Sequence, residues 1–309
     1  AAMTKTKNHK PTITARIAGG LGNQMFIYAA ARRLAHANHA TLTLDMENGF
    51  SRDGYGRFYQ LDCFALDAPR ASPRQCLQPF NRLRRKYLAR KHDATPFSQA
   101  PFIKQKGVAF NAALLEAKIS RDCYFEGLWQ GEAYFKDIGD IIRADFALAW
   151  EPEAENAAMA QAIGQQESAT ALHVRFFAPP GAEKSDNATL AYYRNAMAAL
   201  EKKIDNPHYY IFSDRPHDAV DMLDLESHRF TLVTHNDSAE AAPFDMWLMR
   251  QCRHFIIANS TFSWWGAWLG EAEDKLVFAP ELTNDVVGKY ASWGFDGLLP
   301  DSWTTVAVA

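Results

Sequence analysis

Thr12-Ile13-Thr14-Ala15-Arg16-Ile17-Ala18 runs directly into Gly19-Gly20-Leu21-Gly22-Asn23-Gln24, and an alanine-rich stretch follows to about Ala37. A β-branched run, a glycine turn and a long helix-forming stretch predict strand, loop and helix in that order. Thr41 to Asp45 follows at once and predicts a second strand. A β-α-β opening of this kind calls for a parallel sheet.

Outward from that unit the pattern weakens between Phe50 and Ile119, where turns and basic clusters prevail. It returns at Cys123-Tyr124-Phe125-Glu126-Gly127-Leu128-Trp129, read as a strand, with a helix expected over Ala133 to Ile142. The polar, alanine-rich segment Glu151 to Ser168 reads as a partly helical connector. Beyond it the alternation is regular. Strands are expected at Thr170–Val174, His208–Phe212, Phe230–Val233, His254–Ala258 and Lys275–Phe278. Helices are expected at Ala191–Ile204, near Ala219, at Phe244–Cys252 and at Phe262–Leu269. Tyr193, Met197, Leu200 and Ile204 fall at helical spacing, as a helix packed on a sheet requires. The expected architecture is α/β, with two Rossmann-like halves facing across a cleft: an N-terminal acceptor-side domain over 1–150 and a C-terminal nucleotide-sugar domain over 151–309.

The 309 residues are 48% hydrophobic and 13% aromatic, ample for two cores. Lys+Arg 33 against Asp+Glu 36 gives a net charge of -3, so no global basic field points to nucleic acid. Cys63, Cys76, Cys123 and Cys252 show no paired metal-ligand spacing, which argues against a zinc site or disulfide framework and fits reduced thiols in a cytoplasm. No apolar run is long enough to span a bilayer, and the polar, basic start at 1–10 reads without a signal peptide.

Polar residues gather where strands end, the edge at which open α/β sheets bind ligands. Asn259-Ser260-Thr261 follows Phe255-Ile256-Ile257-Ala258 and precedes a helix holding Ser263, Trp264 and Trp265. Free amides at that helix start suit a phosphate, although simple capping by the same residues is the commoner use. His173-Val174-Arg175 closes a second strand and Ser213-Asp214 a third. Arg175 offers a fork that pairs bidentately with a diphosphate, and a surface ion pair is its plain alternative.

Gly19-Gly20-Leu21-Gly22-Asn23-Gln24-Met25-Phe26 with Tyr28-Ala29 resembles the N-terminal motif of the bacterial α1,2-fucosyltransferases. Gly127-Leu128-Trp129-Gln130 with Tyr134-Phe135 looks like their next block. Asp245-Met246-Trp247-Leu248-Met249 followed by Ile256 to Trp268 is similar to their C-terminal signature. The likeness spans about Gly19 to Gly270, outside the basic middle and the tail after Leu282. It implies a GT-B fold and inverting, metal-free transfer from GDP-fucose to an acceptor glycan in α1,2 linkage to galactose. It also implies His173 and Arg175 at the pyrophosphate, Asp245 near guanine, and Ser260, Thr261 and Ser263 around the phosphates. Gly20, Gly22, Gln24, Ser213, Asp214 and Asn259 join the donor set, with Asn23 facing the reacting sugar. The family carries His-x-Arg-Arg-x-Asp where this chain has Phe176 and Ala178 in place of the second Arg and the Asp. That leaves Phe176 and Phe177 available to pack beside the donor sugar.

No Asp-x-Asp is present, so no metal or other cofactor is expected, and Arg175 with helix-start amides is left to neutralise the leaving diphosphate. A general base for the acceptor hydroxyl is required. Glu126 and Asp45 are candidates at strand ends, Asp45 equally a turn residue. Gly20-x-Gly22 with Asp45 about 20 residues on also has the spacing of a dinucleotide fingerprint, but Met25 replaces its third glycine. The same residues also suit a transferase using a different nucleotide-sugar, or a non-catalytic binding module that has lost turnover. Between Asp67 and Asp93 there is no acid, while Arg70, Arg74, Arg82, Arg84, Arg85, Lys86, Arg90 and Lys91 accumulate. Such a run is by default a solvated face, and peripheral contact with an anionic membrane presenting a lipid-linked acceptor is the functional alternative.

Overall fold

The structure, a computed structural model, describes residues 10–182, 185–282 and 293–309. The polar start at 1–9 lies outside the described residues. The chain divides into two compact units, one holding the residues up to Tyr59 and Leu66–Asp145, the other Gln60–Ala65 and Phe146–Ala309. The boundary thus falls five residues before the 150/151 division read from the sequence, and the short segment Gln60–Ala65 joins the later unit.

In the first unit, β1 (Thr12–Arg16), α1 (Leu21–Ala37) and β2 (Thr41–Asp45) form the opening β-α-β unit. α2 (Asn81–Lys91), β3 (Phe102–Lys104), α3 (Ala113–Glu116), β4 (Cys123–Glu126) and α4 (Gly139–Asp145) complete it. The parallel sheet has the order β2-β1-β4-β3, with Ile13 beside both Leu42 and Cys123. Small residues Ala29, Ala30 and Ala31 let α1 lie close to the sheet and are fully buried. Asp145 ties the unit together by accepting from Tyr28 Oη at 2.8 Å and Arg32 Nε at 2.9 Å.

The second unit contains α5 (Ala154–Gly164), β5 (Ala169–Val174), α6 (Leu190–Glu201), β6 (His208–Ser213), α7 (Pro216–Leu223) and β7 (Phe230–Leu232). α8 (Ala242–Met249), β8 (His254–Ile256), α9 (Thr261–Leu269), β9 (Val277–Pro280) and β10 (Thr304–Val306) follow. All six strands are parallel in the order β10-β9-β8-β5-β6-β7. The signature tryptophans are core: Trp264 and Trp265 are fully buried, and Trp264 Nε1 donates to the Leu298 carbonyl at 2.9 Å. Lys275 closes α9 by donating to the carbonyls of Ala267 and Gly270 at 2.9 and 2.7 Å, a cation at the negative end of the helix.

Several expectations shift. The strand read over 123–129 stops at Glu126 because Gly127 (φ 147) and Trp129 (φ 51) turn the chain out of the sheet. A Cβ at Gly127 would lie 2.4 Å from Gln105 Cβ, so glycine is needed there for space as well as for φ. The helix expected over 133–142 is two single 3-10 turns before α4. β3 and β10 went unread, being three-residue edge strands without a clear alternation.

Candidate active site

In the second unit the chain runs outward from β5 through β6 to β7, then returns to the other side of β5 as β8, β9 and β10. The reversal lies between β5 and β8, and a reversal of this kind is where open α/β sheets bind ligands beyond their strand ends. β5 delivers His173, Val174 and then Arg175 to that edge, and the chain leaving β8 delivers Asn259 and Ser260.

Two buried polar atoms at this point lack a partner among the described residues: His173 Nδ1 and Asn259 Oδ1. Both residues are 5% exposed. Burial, with the Arg175 charge adding to it, pushes the His173 pKa down to about 3, so the ring is neutral near pH 7. It lies against Phe262, ring centroids 5.5 Å apart, and its carbonyl accepts from Tyr193 Oη at 3.0 Å. Asn259 Nδ2 donates to the Asp186 carbonyl at 2.7 Å, which aims Oδ1 the other way. Oδ1 can only accept, so it calls for a hydroxyl or amine, whereas a neutral imidazole nitrogen meets a donor or an acceptor according to tautomer.

Arg175 supplies the charge. Its guanidinium bonds Asp214 Oδ2 at 3.0 Å, lies over the Phe177 ring at 5.6 Å and remains partly exposed. Asp214 Oδ1 accepts from the Phe176 amide at 3.0 Å, so this carboxylate positions Arg175 and its turn instead of meeting an anion itself. Ser213 Oγ likewise accepts from the Arg215 amide at 3.0 Å. Ser260 caps α9 by accepting from the Phe262 amide at 3.3 Å, leaving Thr261 in its first turn. The Ser263 hydroxyl is buried and turned back on the Ala258 and Ser260 carbonyls, which corrects its expected place among phosphate ligands.

Asp245 lies on α8 in a separate polar cluster. Asn236 Nδ2 donates to Asp245 Oδ1 at 2.9 Å and to Asn156 Oδ1 at 2.8 Å, and Asn156 Oδ1 also meets His235 Nε2 at 2.9 Å. Burial raises the Asp245 pKa to about 7, against the opposing pull of the Asn236 hydrogen bond.

The first unit has its own reversal between β1 and β4, bordered by the glycine loop and the turn after Glu126. Gly19 takes φ 80 and Gly20 opens the N-terminus of α1, with open space where a side chain would stand. Gln130 Nε2 donates to Asn23 Oδ1 at 2.9 Å, so the loops on either side of the reversal are joined and Asn23 turns its NH2 group away from that bond. Gln24 is buried, its amide nitrogen donating to the Gly19 and Phe58 carbonyls at 2.9 and 2.8 Å, and Gly22 is buried within α1. Gln24 thereby ties the glycine loop to Phe58, a correction to its expected place as a donor ligand.

Asp45 is corrected as well. It is fully buried and accepts from the Glu47 and Asn48 amides, the Asn48 side chain and Tyr124 Oη, so its oxygens are engaged and closed to an acceptor. Glu126, the last residue of β4, keeps partial exposure and is held by Arg85 Nη2 at 2.7 Å.

The family model described as Glycosyl transferase family 11 matches residues 12–289. The chain belongs to glycosyl transferase family 11. Among its relatives is an α-1,2-colitosyltransferase of Escherichia coli, 26% identical over 284 residues that cover 87% of this chain and 91% of that protein. Another is the O-antigen biosynthesis glycosyltransferase WbnK of Escherichia coli, 34% identical over 122 residues, 38% of this chain and 40% of that one. The fold is shared with fucosyltransferase NodZ from Bradyrhizobium at TM-score 0.51 and 16% identity, covering 84% of this chain and 92% of that one. It is shared also with Arabidopsis thaliana FUT1, solved as a mutant with GDP, at TM-score 0.52 and 11% identity, covering 87% and 70%. The protein is therefore a glycosyltransferase, and the α/β class read from the sequence, GT-B-like by resemblance, is that of these neighbours.

Within this family 11 chain the structure adds residues that sequence reasoning missed. Asn187 Oδ1 accepts from the Phe177 and Ala178 amides at 2.6 and 3.2 Å, and its Nδ2 donates to the Ala178 carbonyl at 2.9 Å. It braces the turn where the usual motif residues are replaced. Phe176 is buried in the core with Leu172, Val174 and Tyr192, while Phe177 is the exposed one. Gln130 lies in the second resemblance block but drew no role from it, and Asn156, Asn236 and Asn187 carried no sequence signal, since lone amides are ordinary surface residues until folding buries them.

Proposed function

We propose that this glycosyltransferase moves L-fucose from GDP-fucose, with inversion and without a metal, onto a hydroxyl of an acceptor glycan, in α1,2 linkage to galactose. The observation that carries the reading is the coincidence, at the β5/β8 reversal, of two unpartnered buried polar atoms with Arg175 and the start of α9. Hydroxyl-seeking atoms beside a cation and helix-start amides suit a sugar diphosphate. In this mechanism the bond from the sugar carbon to the diphosphate oxygen breaks while the acceptor oxygen attacks from the opposite face. Arg175 and the α9 amides stabilise the negative charge gathering on the leaving diphosphate. Asp245 and its amide cluster are assigned to the guanine, whose N–H groups suit a carboxylate. Glu126 is the base candidate left once Asp45 is closed, and Asn23 offers its NH2 group to the reacting sugar.

Among the described residues no group of three or more His, Cys, Asp or Glu is arranged to hold a metal ion. None of their helices is long and apolar enough to cross a membrane. The reading puts the enzyme in the cytoplasm, meeting an oligosaccharide or lipid-linked glycan acceptor at the membrane surface. WbnK's name, an O-antigen biosynthesis glycosyltransferase, supports that acceptor class.

A second reading keeps every step and changes the donor to GDP-colitose. It is favoured by the colitosyltransferase relative and by Phe176 and Ala178, which remove two polar side chains from the donor-side motif. A panel of GDP-fucose, GDP-colitose, GDP-mannose and UDP-galactose with galactoside acceptors decides between them. GDP release and an α1,2-linked fucosyl product seen by NMR are expected. Transfer from GDP-colitose alone establishes the second reading, and GDP binding without turnover of any donor overturns both in favour of a non-catalytic binding protein.

A further inference from the structure

α2 has two contrasting faces. At 100° per residue, Asn81, Arg85, Leu88 and Ala89 share the inner face, and these are its half-buried residues. Arg85 anchors this face to Glu126. The outer face carries Leu83 and Tyr87, with Phe80 at the helix start beside them, exposed by 67%, 60% and 70%. Lys86 and Arg82 flank that apolar stripe on one side, and Lys91 and Arg84 on the other, with Arg90 at its end. Arg82, Lys86 and Arg90 have no ion-pair partner among the described residues, and no acid occurs between Asp67 and Asp93.

Phe80 adds a second observation. It sits at φ 67, in the left-handed region that disfavours bulky side chains, and packs on little within its own unit. A strained, exposed aromatic that folding does not reward points to a role outside the folded core.

We propose that this face of α2 docks on an anionic lipid bilayer, with Phe80, Leu83 and Tyr87 entering the interface and the flanking cations meeting the head groups. Charge complementarity identifies the occupant, and the arrangement distinguishes it from nucleic acid. A phosphate backbone would be met by cations at the centre of the face, whereas here the centre is apolar and the cations form its borders. The surface is independent of which sugar the enzyme transfers.

Co-sedimentation of the full chain with phosphatidylcholine vesicles, with and without phosphatidylglycerol, tests it. Binding is expected only with the anionic lipid and is expected to weaken with salt. Arg82→Glu with Lys86→Glu and Lys91→Glu is expected to lower partitioning on the order of 100-fold or more, since each cation near such a surface is worth about fivefold. Phe80→Ser with Leu83→Ser and Tyr87→Ser is expected to abolish the salt-resistant part while leaving thermal stabilisation by GDP unchanged. Absence of binding, equal binding to neutral vesicles, or full retention by the serine variant overturns the proposal. So does binding of single-stranded RNA in preference to vesicles. Failure of transfer activity with intact vesicle binding would count against the sugar assignment alone.

Discussion

Asp214 holds Arg175 through Oδ2 at 3.0 Å and the Phe176 amide through Oδ1 at 3.0 Å, so one carboxylate fixes both the cation and the turn that carries it. A partly exposed ion pair contributes little to stability, about 0 to 1 kcal/mol, so the pair's use lies in placing the guanidinium.

Arg175→Ala is therefore expected to fold normally and to lose turnover by on the order of 100-fold or more, the cost of removing a donor to the leaving group. Arg175→Lys keeps the charge, loses the planar fork and is expected to fall between. Asp214→Asn keeps an acceptor for the Phe176 amide and is expected to lower turnover with little change in melting temperature. Steady-state kinetics with calorimetry on all three check this, and near-normal transfer by Arg175→Ala would shift the phosphate to Ser260, Thr261 and the α9 amides.

Phe176→Ala is expected to act on the fold. Phe176 is packed with Leu172, Val174 and Tyr192, and truncating a buried phenylalanine costs about 3 to 5 kcal/mol. Urea unfolding should show the loss, with relative rates on different donors unchanged among the molecules that remain folded. Phe177→Ala, exposed beside Arg175, is the variant expected to alter donor discrimination.

Gln130 fixes which end of the Asn23 amide faces outward by donating to its Oδ1 at 2.9 Å. Gln130→Glu cannot donate there and repels that oxygen, so Asn23 is expected to turn its amide over and offer an acceptor where a donor stood. Turnover should fall roughly 10- to 100-fold, the scale of misplacing a positioning group, with GDP affinity unchanged. Equal loss in GDP affinity would count against this role.

Asp245 couples binding to pH. Its carboxyl is held neutral up to about 7 in the fold but ionises near 3.8 when unfolded, so protons bind the folded form more tightly. This group's contribution to stability is greatest below about 4, declines as pH rises toward 7, and is flat above. Asp245→Asn should therefore gain melting temperature relative to the parent chain at pH 8, with the gap closing toward pH 4. If the carboxylate accepts from guanine, GDP affinity of the parent chain should rise through about pH 7, and that rise should vanish in Asp245→Asn.

Transfer is expected to continue in excess EDTA, with Arg175 and the α9 amides neutralising the diphosphate. Loss of activity restored by Mg or Mn would overturn the metal-free mechanism.

Much of the fold was legible because it is written in local pattern. The opening strand, glycine loop and helix, and the alternation after Glu151, follow from β-branched runs, capping residues and 3.6-residue spacing, all properties of neighbouring residues. The polar strand ends are legible for the same reason, since His173, Arg175 and Asn259 directly follow or close apolar runs. β3 and β10 were obscure because they are short edges, and in α2 the spacing that puts Phe80, Leu83, Tyr87 and Leu88 on one face holds for the first three, while Leu88 turns to the half-buried side.

What the sequence determined by itself is therefore the opening β-α-β unit, the alternation after Glu151, the family, and the strand ends of the second sheet where the candidate polar residues gather. Only the tertiary structure decided which candidates are free to act. Asp45, Gln24 and Ser263 have the right chemistry, yet distant partners such as Tyr124 and Phe58, or their own helix, engage their polar atoms. His173 and Asn259 are also buried, and each keeps an atom without a partner among the described residues. Whether a buried polar atom is satisfied depends on residues far away in the chain, because burial imposes a cost on every unmade hydrogen bond and only folding brings the partners within reach.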